Sequence, residues 1–127
     1  MTDGIYEEVP SIDPRAWDSI RSLQRPGQPD MLCKVIDKYL TSSRRLIDAM
    51  REAVPQRDAE ALHHTAHSLK SSSATVGALR LAALCKDMET MGRTNALEGV
   101  SAVWRKFQAE YKLVQDILKD ELNQVKT

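Results

Sequence analysis

Apolar residues recur at steps of three and four along almost the whole chain, which is the spacing of one face of an α-helix. No useful stretch alternates polar and apolar residues as a half-buried strand would. Glycine and proline number only five each and cluster between the periodic stretches, where helices are expected to end. This pattern predicts an all-α protein.

A short first helix is predicted near the N-terminal end of the sequence. Asp13 can cap it, and Pro14 suits its first turn. Its apolar side carries Trp17, Ile20 and Leu23. Residues 25–28, Arg-Pro-Gly-Gln, then break the pattern. We expect this helix to lie as a lid across one end of a larger helical unit.

Two longer helices follow. The second helix is expected from about Pro29 to Ala53, with Pro55 stopping it. Its apolar stripe consists of Leu32, Val35, Ile36, Tyr39, Leu40, Leu46, Ile47 and Met50. The third helix can be capped by Asp58 and is expected to end at Gly77, because glycine adopts the left-handed cap conformation without steric penalty.

The last two helices complete a bundle. The fourth is expected over residues 79–93, with Leu81, Leu84, Cys85, Met88 and Met91 on one side. The fifth is expected over residues 97–122, with a stripe of Val100, Val103, Trp104, Phe107, Tyr111, Val114 and Leu118. Short loops between long amphipathic helices favour antiparallel neighbours. The sequence therefore predicts an antiparallel up-down four-helix bundle with a short N-terminal lid helix, in which residues 1–12 are a flexible N-terminal segment and residues 13–127 are one domain.

Composition excludes several functional classes. Lys+Arg (18) balance Asp+Glu (18), so no net field favours nucleic acid or an anionic membrane. No run approaches the roughly 20 apolar residues that span a bilayer, and no signal peptide pattern precedes the first helix. We therefore expect a cytoplasmic protein, a monomer, that binds neither nucleic acid nor membrane. Cys33 and Cys85 fit small core residues of a reducing compartment, and no disulfide between them is required.

The third helix carries the residues of greatest chemical interest. At about 100° per residue its core face consists of Leu62, Ala66, Leu69, Ser73 and Val76. His67 therefore points away from the core, toward solvent. Residues three and four apart stack on a helix, so His63 and Lys70 flank His67 on one side, and His64 and Ser71 flank it on the other.

Small residues follow on the C-terminal side of His67, and they leave room for another protein to reach its imidazole. The expected partner-docking surface consists of His63, His64, Ser71, Ala74, Gly77 and Ala78. An exposed imidazole is a good nucleophile at neutral pH, and the Lys70 ammonium can neutralise phosphoryl oxygens. No carboxylate cluster suited to Mg²⁺ is apparent, so we expect no cofactor of the chain's own and Mg²⁺ from the partner.

Residues 66–73, Ala-His-Ser-Leu-Lys-Ser-Ser-Ser, followed by Val-Gly-Ala at 76–78 and by Leu81, resemble the signature of histidine-containing phosphotransfer (HPt) domains. The family pattern has a lysine three residues after the histidine and a glycine ten residues after it, as Lys70 and Gly77 are here. The resemblance is strongest over residues 62–88, and the five-helix layout extends it to nearly the whole chain.

The resemblance implies a non-enzymatic phosphorelay intermediate of two-component signal transduction. His67 would accept a phosphoryl group from a receiver-domain aspartate and donate it to another receiver, while Lys70 faces the phosphate and Gly77 keeps the docking surface clear. Implied partners are receiver domains of response regulators or of a hybrid histidine kinase. Ser71 departs from the glycine that is usual in the family, and its hydroxyl is expected to affect partner choice or phosphoryl lifetime.

Three alternatives compete with this interpretation. A zinc site at His63, His64 and His67 lacks the glutamate of a His-Glu-x-x-His motif and an apparent fourth ligand. The dimerisation region of a sensor kinase typically has an acidic residue and then a proline after its histidine, where this chain has Ser68 and no proline, and the chain lacks an Asn- and Gly-rich ATP-binding domain. The third alternative is a helical adaptor in which His67 has no chemistry. Met1 favours a free-standing protein over a fragment of a hybrid kinase.

Overall fold

The computed structural model describes residues 6–126, with side chains as far as residue 124. Its helices are α1 (Pro14–Arg21), α2 (Met31–Gln56), α3 (Ala59–Thr75), α4 (Leu79–Thr94) and α5 (Val100–Lys126). No β-strand occurs within residues 6–126. The predicted all-α class is confirmed.

Helices α2 to α5 form a four-helix bundle. Helix α3 packs between α2 and α4, and α5 packs against α2 and α4 to close the ring. The largest fully buried side chains come from all four helices, and they include Leu32, Ile36, Met50, Leu62, Leu69, Leu81, Met88, Phe107 and Leu118. The predicted bundle is confirmed, and its core is formed by the apolar stripes that follow the helical period.

Buried hydroxyl groups connect α2 to both of its neighbours. The Tyr39 hydroxyl lies 2.9 Å from Ser73 Oγ on α3, and Ser43 Oγ lies 2.8 Å from the Tyr111 hydroxyl on α5. Both serines are fully buried. Because each hydroxyl group has a partner, these polar groups enter the core without an unsatisfied hydrogen bond.

Helix α1 lies across the end of the bundle, as predicted for a lid. The Trp17 indole donates a 2.8 Å hydrogen bond to the Val76 carbonyl at the end of α3, and Ile20 is buried. The Asp13 side chain caps α1 by accepting from the Arg15 amide. Leu23 was predicted on the apolar side of this helix. It instead lies beyond the last residue of α1 and is 64% exposed.

Part of the segment that we predicted to be flexible packs against α4. Tyr6 is buried, and its hydroxyl donates a hydrogen bond to the Asp87 carboxylate. Arg80 Nε donates to the carbonyl groups of Tyr6 and Val9, at 2.9 Å and 2.8 Å. These contacts bond Tyr6 and Val9 to α4, although this segment was expected to be flexible. The domain boundary at residue 13 stays a prediction. Residues 1–5 lie outside the described residues.

Helix α2 continues past Pro55 rather than stopping before it. Proline lacks an amide hydrogen and so removes one helical hydrogen bond, but this loss falls in the last turn. Arg57 then adopts a left-handed conformation (φ 53°), and its amide donates to the Val54 carbonyl while the next amide, that of Asp58, donates to Ala53. These capping bonds satisfy carbonyl groups that the end of the helix leaves free.

Helix α5 begins three residues later than predicted and ends four residues later. Gly99 has φ +85°, which a right-handed helix cannot include, so the helix starts at Val100. Leu118 and Leu122 are both buried near its other end. The helix continues to Lys126.

Gly77 and Ala78 are both buried and are therefore not part of an exposed docking surface, and Gly77 lies against the lid. Gly77 has φ +79°, and a Cβ atom placed on it would lie 2.8 Å from the Asp13 carbonyl oxygen. Its own carbonyl accepts a 2.8 Å hydrogen bond from the Asp13 amide. Glycine at this position lets α1 approach the end of α3, which corrects the prediction that it keeps a partner surface clear.

We expect Gly77→Ala to lower the free energy of unfolding by roughly 3 kcal/mol, because it adds a backbone clash to the cost of a left-handed alanine. Gly27 is a matched control, since its φ is +77° and a Cβ there meets nothing within 4 Å. Gly27→Ala should cost only about 1 kcal/mol. Urea denaturation measures both values, and equal losses would show that the close approach of the lid contributes nothing.

Candidate functional site

His67 lies on the outward face of α3, as the helical period predicted. Its side chain is 59% exposed. The opposite face of the helix is buried, with at most 1% exposure at Leu62, Ala66, Leu69, Ser73 and Val76. The imidazole is therefore accessible to another protein while its helix is anchored in the core.

A carboxylate that the sequence analysis did not identify connects His67 to Lys70. Glu89, on α4, accepts from the Lys70 ammonium at Oε1 and contacts His67 Nδ1 at Oε2, and both distances are 2.6 Å. The Glu89 side chain is only 9% exposed, whereas Lys70 is 32% exposed. The site is therefore a triad of one buried acid and two more accessible basic side chains.

Gly92 brings α4 close enough to α3 for this contact. A Cβ atom at Gly92 would lie 2.6 Å from both the Ala59 carbonyl oxygen and the His63 amide nitrogen. The two backbones thus touch at this level of the bundle. Glu89 lies three residues before Gly92 on the same side of α4, so its side chain reaches α3 one turn further along. A short interhelical distance therefore positions the carboxylate.

The charge of Glu89 is stabilised by its partners. The hydrogen bond from Lys70, together with the bond from His67 and the charges of both groups, lowers the pKa of Glu89 below its ordinary value, although burial acts in the opposite direction. The carboxylate is consequently ionised at neutral pH. A buried anion needs such hydrogen bonds, because an unpaired charge in the interior is strongly destabilising.

This arrangement fixes which nitrogen of His67 is free. An ionised carboxylate can only accept hydrogen bonds, so His67 Nδ1 carries the hydrogen in its 2.6 Å contact with Glu89. In a neutral imidazole the other nitrogen, Nε2, then holds a lone pair. Because Nδ1 faces α4, Nε2 faces away from it toward solvent. His67 thus presents an oriented nucleophile.

The other predicted docking residues separate into two groups. His64, Ser71 and Ala74 are exposed around His67, and His64 Nε2 lies 3.8 Å from Glu60 on its own helix. His63 is half-buried at the seam with α4, where its Nδ1 lies 3.4 Å from the Glu89 backbone carbonyl. His63 therefore belongs to the interface between α3 and α4 as much as to the surface.

Apolar packing supports the site from below. Cys85 and Met88 precede Glu89 on α4 and are fully buried. Burial, and then the nearby Glu89 charge, raise the pKa of the Cys85 thiol above its ordinary value. Cys85 is a free thiol. The α4 side chains that pack beneath the site, Cys85 and Met88, are consequently neutral, and Glu89 carries the one charge.

Glu89 could have been found from its position in the sequence. It follows Cys85 by four residues and precedes Gly92 by three, so it lies on the same side of α4 as the predicted core residues. A carboxylate on an apolar helical face is seldom buried without a partner. That anomaly was a signal for a buried ion pair, although it did not identify His67 and Lys70 as the partners.

Comparison with known proteins identifies the family. Residues 34–127 match the Hpt domain family. The chain belongs to this family. It is 28% identical over 110 residues to histidine-containing phosphotransfer protein 2 of Arabidopsis thaliana, an alignment that covers 84% of this chain and 70% of that protein.

Solved structures of HPt proteins have the same fold. The crystal structure of histidine-containing phosphotransfer protein B (HptB) from Pseudomonas aeruginosa PAO1 is 29% identical with a TM-score of 0.83, and the alignment covers 91% of this chain and 96% of that one. MtHPt2 from Medicago truncatula is 26% identical with a TM-score of 0.76, covering 95% and 84%. The HPt domain described here is thus a phosphorelay intermediate of two-component signalling, and the phosphotransfer proteins it resembles are carriers rather than kinases. Within the described residues, no helix has the length and apolar content needed to cross a bilayer.

We expect Glu89→Leu to change the tautomer of His67. The variant removes the acceptor that holds hydrogen on Nδ1, so the hydrogen should shift toward Nε2. Nitrogen-15 NMR of the imidazole rings at a pH where they are neutral measures this change directly. His64, which has no contact with Glu89, is the control ring in the same spectrum. Unchanged His67 nitrogen shifts would contradict the assigned hydrogen bond.

A second prediction concerns acid stability. An ordinary glutamate has a pKa of 4.5, and the pKa of Glu89 in the folded protein is lower. The stabilisation from the ionised Glu89 carboxylate is therefore fully present above pH 4.5. It is lost as the pH falls through the folded pKa. Glu89→Gln should therefore be less stable than wild type at pH 7, by about 1–3 kcal/mol, and the difference should shrink in acid.

Urea denaturation at a series of pH values tests this prediction, with Glu60→Gln as the control for an exposed carboxyl group. A constant difference between wild type and Glu89→Gln at every pH would count against the ionised triad.

Proposed function

We propose that His67 Nε2 is the phosphoryl acceptor of this HPt domain, that a receiver-domain aspartate supplies the group and that a second receiver takes it. Receivers of response regulators, or of a hybrid histidine kinase, are the partners that this chemistry requires. The observation that carries the proposal is the contact between Glu89 and His67 Nδ1, because it leaves Nε2 exposed and oriented.

The fixed tautomer of His67 determines how this residue accepts and donates the phosphoryl group. In acceptance, the Nε2 lone pair attacks the phosphorus atom of the aspartyl phosphate. A P–N bond forms, the P–O bond to the aspartate breaks, and its electron pair leaves with the carboxylate. Nδ1 keeps its hydrogen against Glu89, so the resulting imidazolium lies beside a buried anion. In donation a carboxylate oxygen of the second receiver's aspartate attacks the phosphorus atom and forms a P–O bond. The P–N bond breaks, its electron pair returns to Nε2, and the leaving group is a neutral imidazole.

Lys70 has the geometry to neutralise the transferred group. Its ammonium carries three hydrogens, and the bond to Glu89 Oε1 uses one of them. The remaining two are available for phosphoryl oxygens one helical turn from His67. Because phosphoryl transfer depends mostly on positioning and charge neutralisation, an ammonium held in place by a buried acid is well suited to this task.

The metal ion in this proposal comes from the partner. Glu89 is already bonded to two basic groups, so it is poorly placed to bind Mg²⁺ as well. We therefore propose that the receiver supplies Mg²⁺ and that the chain does not phosphorylate itself from ATP. A cytoplasmic location is part of the same proposal, since it is where such receivers would meet this domain.

The test is transfer of labelled phosphate from a phosphorylated receiver domain. We expect acid-labile, base-stable label on the wild-type protein and none on His67→Gln, which lacks the nucleophile. His64→Gln is the matched control, because it removes an exposed histidine from the same helix and should keep the label. Labelled ATP without a receiver should label neither protein.

Label that persists in His67→Gln would refute the acceptor assignment. If a broad panel of phosphorylated receivers labelled neither wild type nor His64→Gln, that result would favour the helical adaptor, in which His67 has no chemistry.

A further inference from the structure

The hydroxyl groups that follow His67 on α3 differ in whether they have a partner. Ser72 and Thr75 each donate 3.1 Å hydrogen bonds to backbone carbonyls four residues earlier, and buried Ser73 is bonded to α2. Within the described residues, the hydroxyls of Ser68 and Ser71 have no hydrogen-bonding partner, and both serines are exposed. Two hydroxyl groups near His67 are thus free to bind something outside the chain.

Helical geometry distinguishes these two serines. Ser71 lies one turn beyond His67, about 40° from it around the helix axis, on the side away from α4. Lys70 lies about 60° from His67 on the side toward α4, where Glu89 holds it. Ser68 lies about 100° from His67 and faces the groove with α2 instead. Lys70 and Ser71 therefore flank His67 from opposite sides.

The direction of the imidazole favours Ser71 as a contact. Glu89 holds Nδ1 toward α4, so a phosphoryl group on Nε2 would project away from Glu89, toward the side on which Ser71 lies. Residues four apart are neighbours on a helix surface, so the Ser71 side chain stands next to His67 on that side. His64 flanks the same side one turn earlier, where its Nε2 lies 3.8 Å from Glu60, and Ser71 carries the free hydroxyl on that side.

We propose that Ser71 Oγ donates a hydrogen bond to the phosphoryl group on His67, opposite Lys70, so that an ammonium and a hydroxyl hold the group between them. This inference rests on the proposed role of His67 as the acceptor. A hydrogen bond from a hydroxyl to a phosphoryl oxygen is charge-assisted and directional. Ser71 would therefore limit rotation of the group about the P–N bond and favour the dianionic form.

The experiment uses phosphoramidate, which transfers its phosphoryl group to a histidine nitrogen with release of ammonia and needs no receiver. Phosphorus-31 NMR of the labelled protein across a pH series gives the pKa of the phosphoryl group on His67. Loss of a donor to the dianion should raise that pKa by roughly 0.5 in Ser71→Ala. Both serines are exposed and alanine is a strong helix former, so the variants should fold.

Ser68→Ala is the matched control, because it removes the other free hydroxyl and should leave the pKa at the wild-type value. Ser71→Thr, which restores a hydroxyl, should return the pKa to near wild type. An unchanged phosphoryl pKa in Ser71→Ala, or equal shifts in Ser71→Ala and Ser68→Ala, would overturn the contact. Failure of phosphoramidate to label His67 would overturn it as well.

Failure of the Ser71 contact and failure of the proposed relay function give different results. If labelled protein gave the Ser71-specific shift but exchanged phosphate with no receiver, the contact would stand and the proposed partners would fail. If transfer to receivers proceeded while the pKa was insensitive to Ser71, the relay would stand and the contact would fail.

Discussion

The hydrogen bonds that Glu89 accepts from His67 and Lys70 join two helices through a single buried carboxylate. Burial of an ionised acid is costly, and here two short contacts offset that cost. Each partner therefore depends on the other, because removal of either leaves an anion with one bond fewer. The Glu89 carboxylate therefore has two effects. It stabilises the contact between α3 and α4, and it orients the imidazole of His67.

The sequence was sufficient to place His67 and Lys70, since both lie on α3 and their relative directions follow from the helical period alone. Glu89 required more information. It comes from another helix, and its level relative to His67 depends on the close backbone approach at Gly92, which periodicity does not encode. Prediction therefore succeeded where geometry is local and failed where two helices had to be aligned.

The surface that the lid helix α1 covers was a second feature that could not be predicted from the sequence. The pattern of apolar residues gave a short helix before the bundle, and Gly77 was correctly recognised as the end of α3. Which surface the lid would cover depends on how Trp17 and Asp13 bond to the end of that helix, and those are contacts across some sixty residues. Gly77 and Ala78 were consequently predicted as exposed although both are buried, Gly77 against the lid. The glycine matches the family spacing, and here its role is structural.

The buried thiol beneath the site has a consequence for redox behaviour. Oxidants and alkylating agents react with thiolates, and Cys85 is both fully buried and held in its protonated form by burial and by the neighbouring carboxylate. Sulfur chemistry at that residue would require the bundle to open first. Cys85 should thus stay reduced under oxidative stress for as long as the domain stays folded.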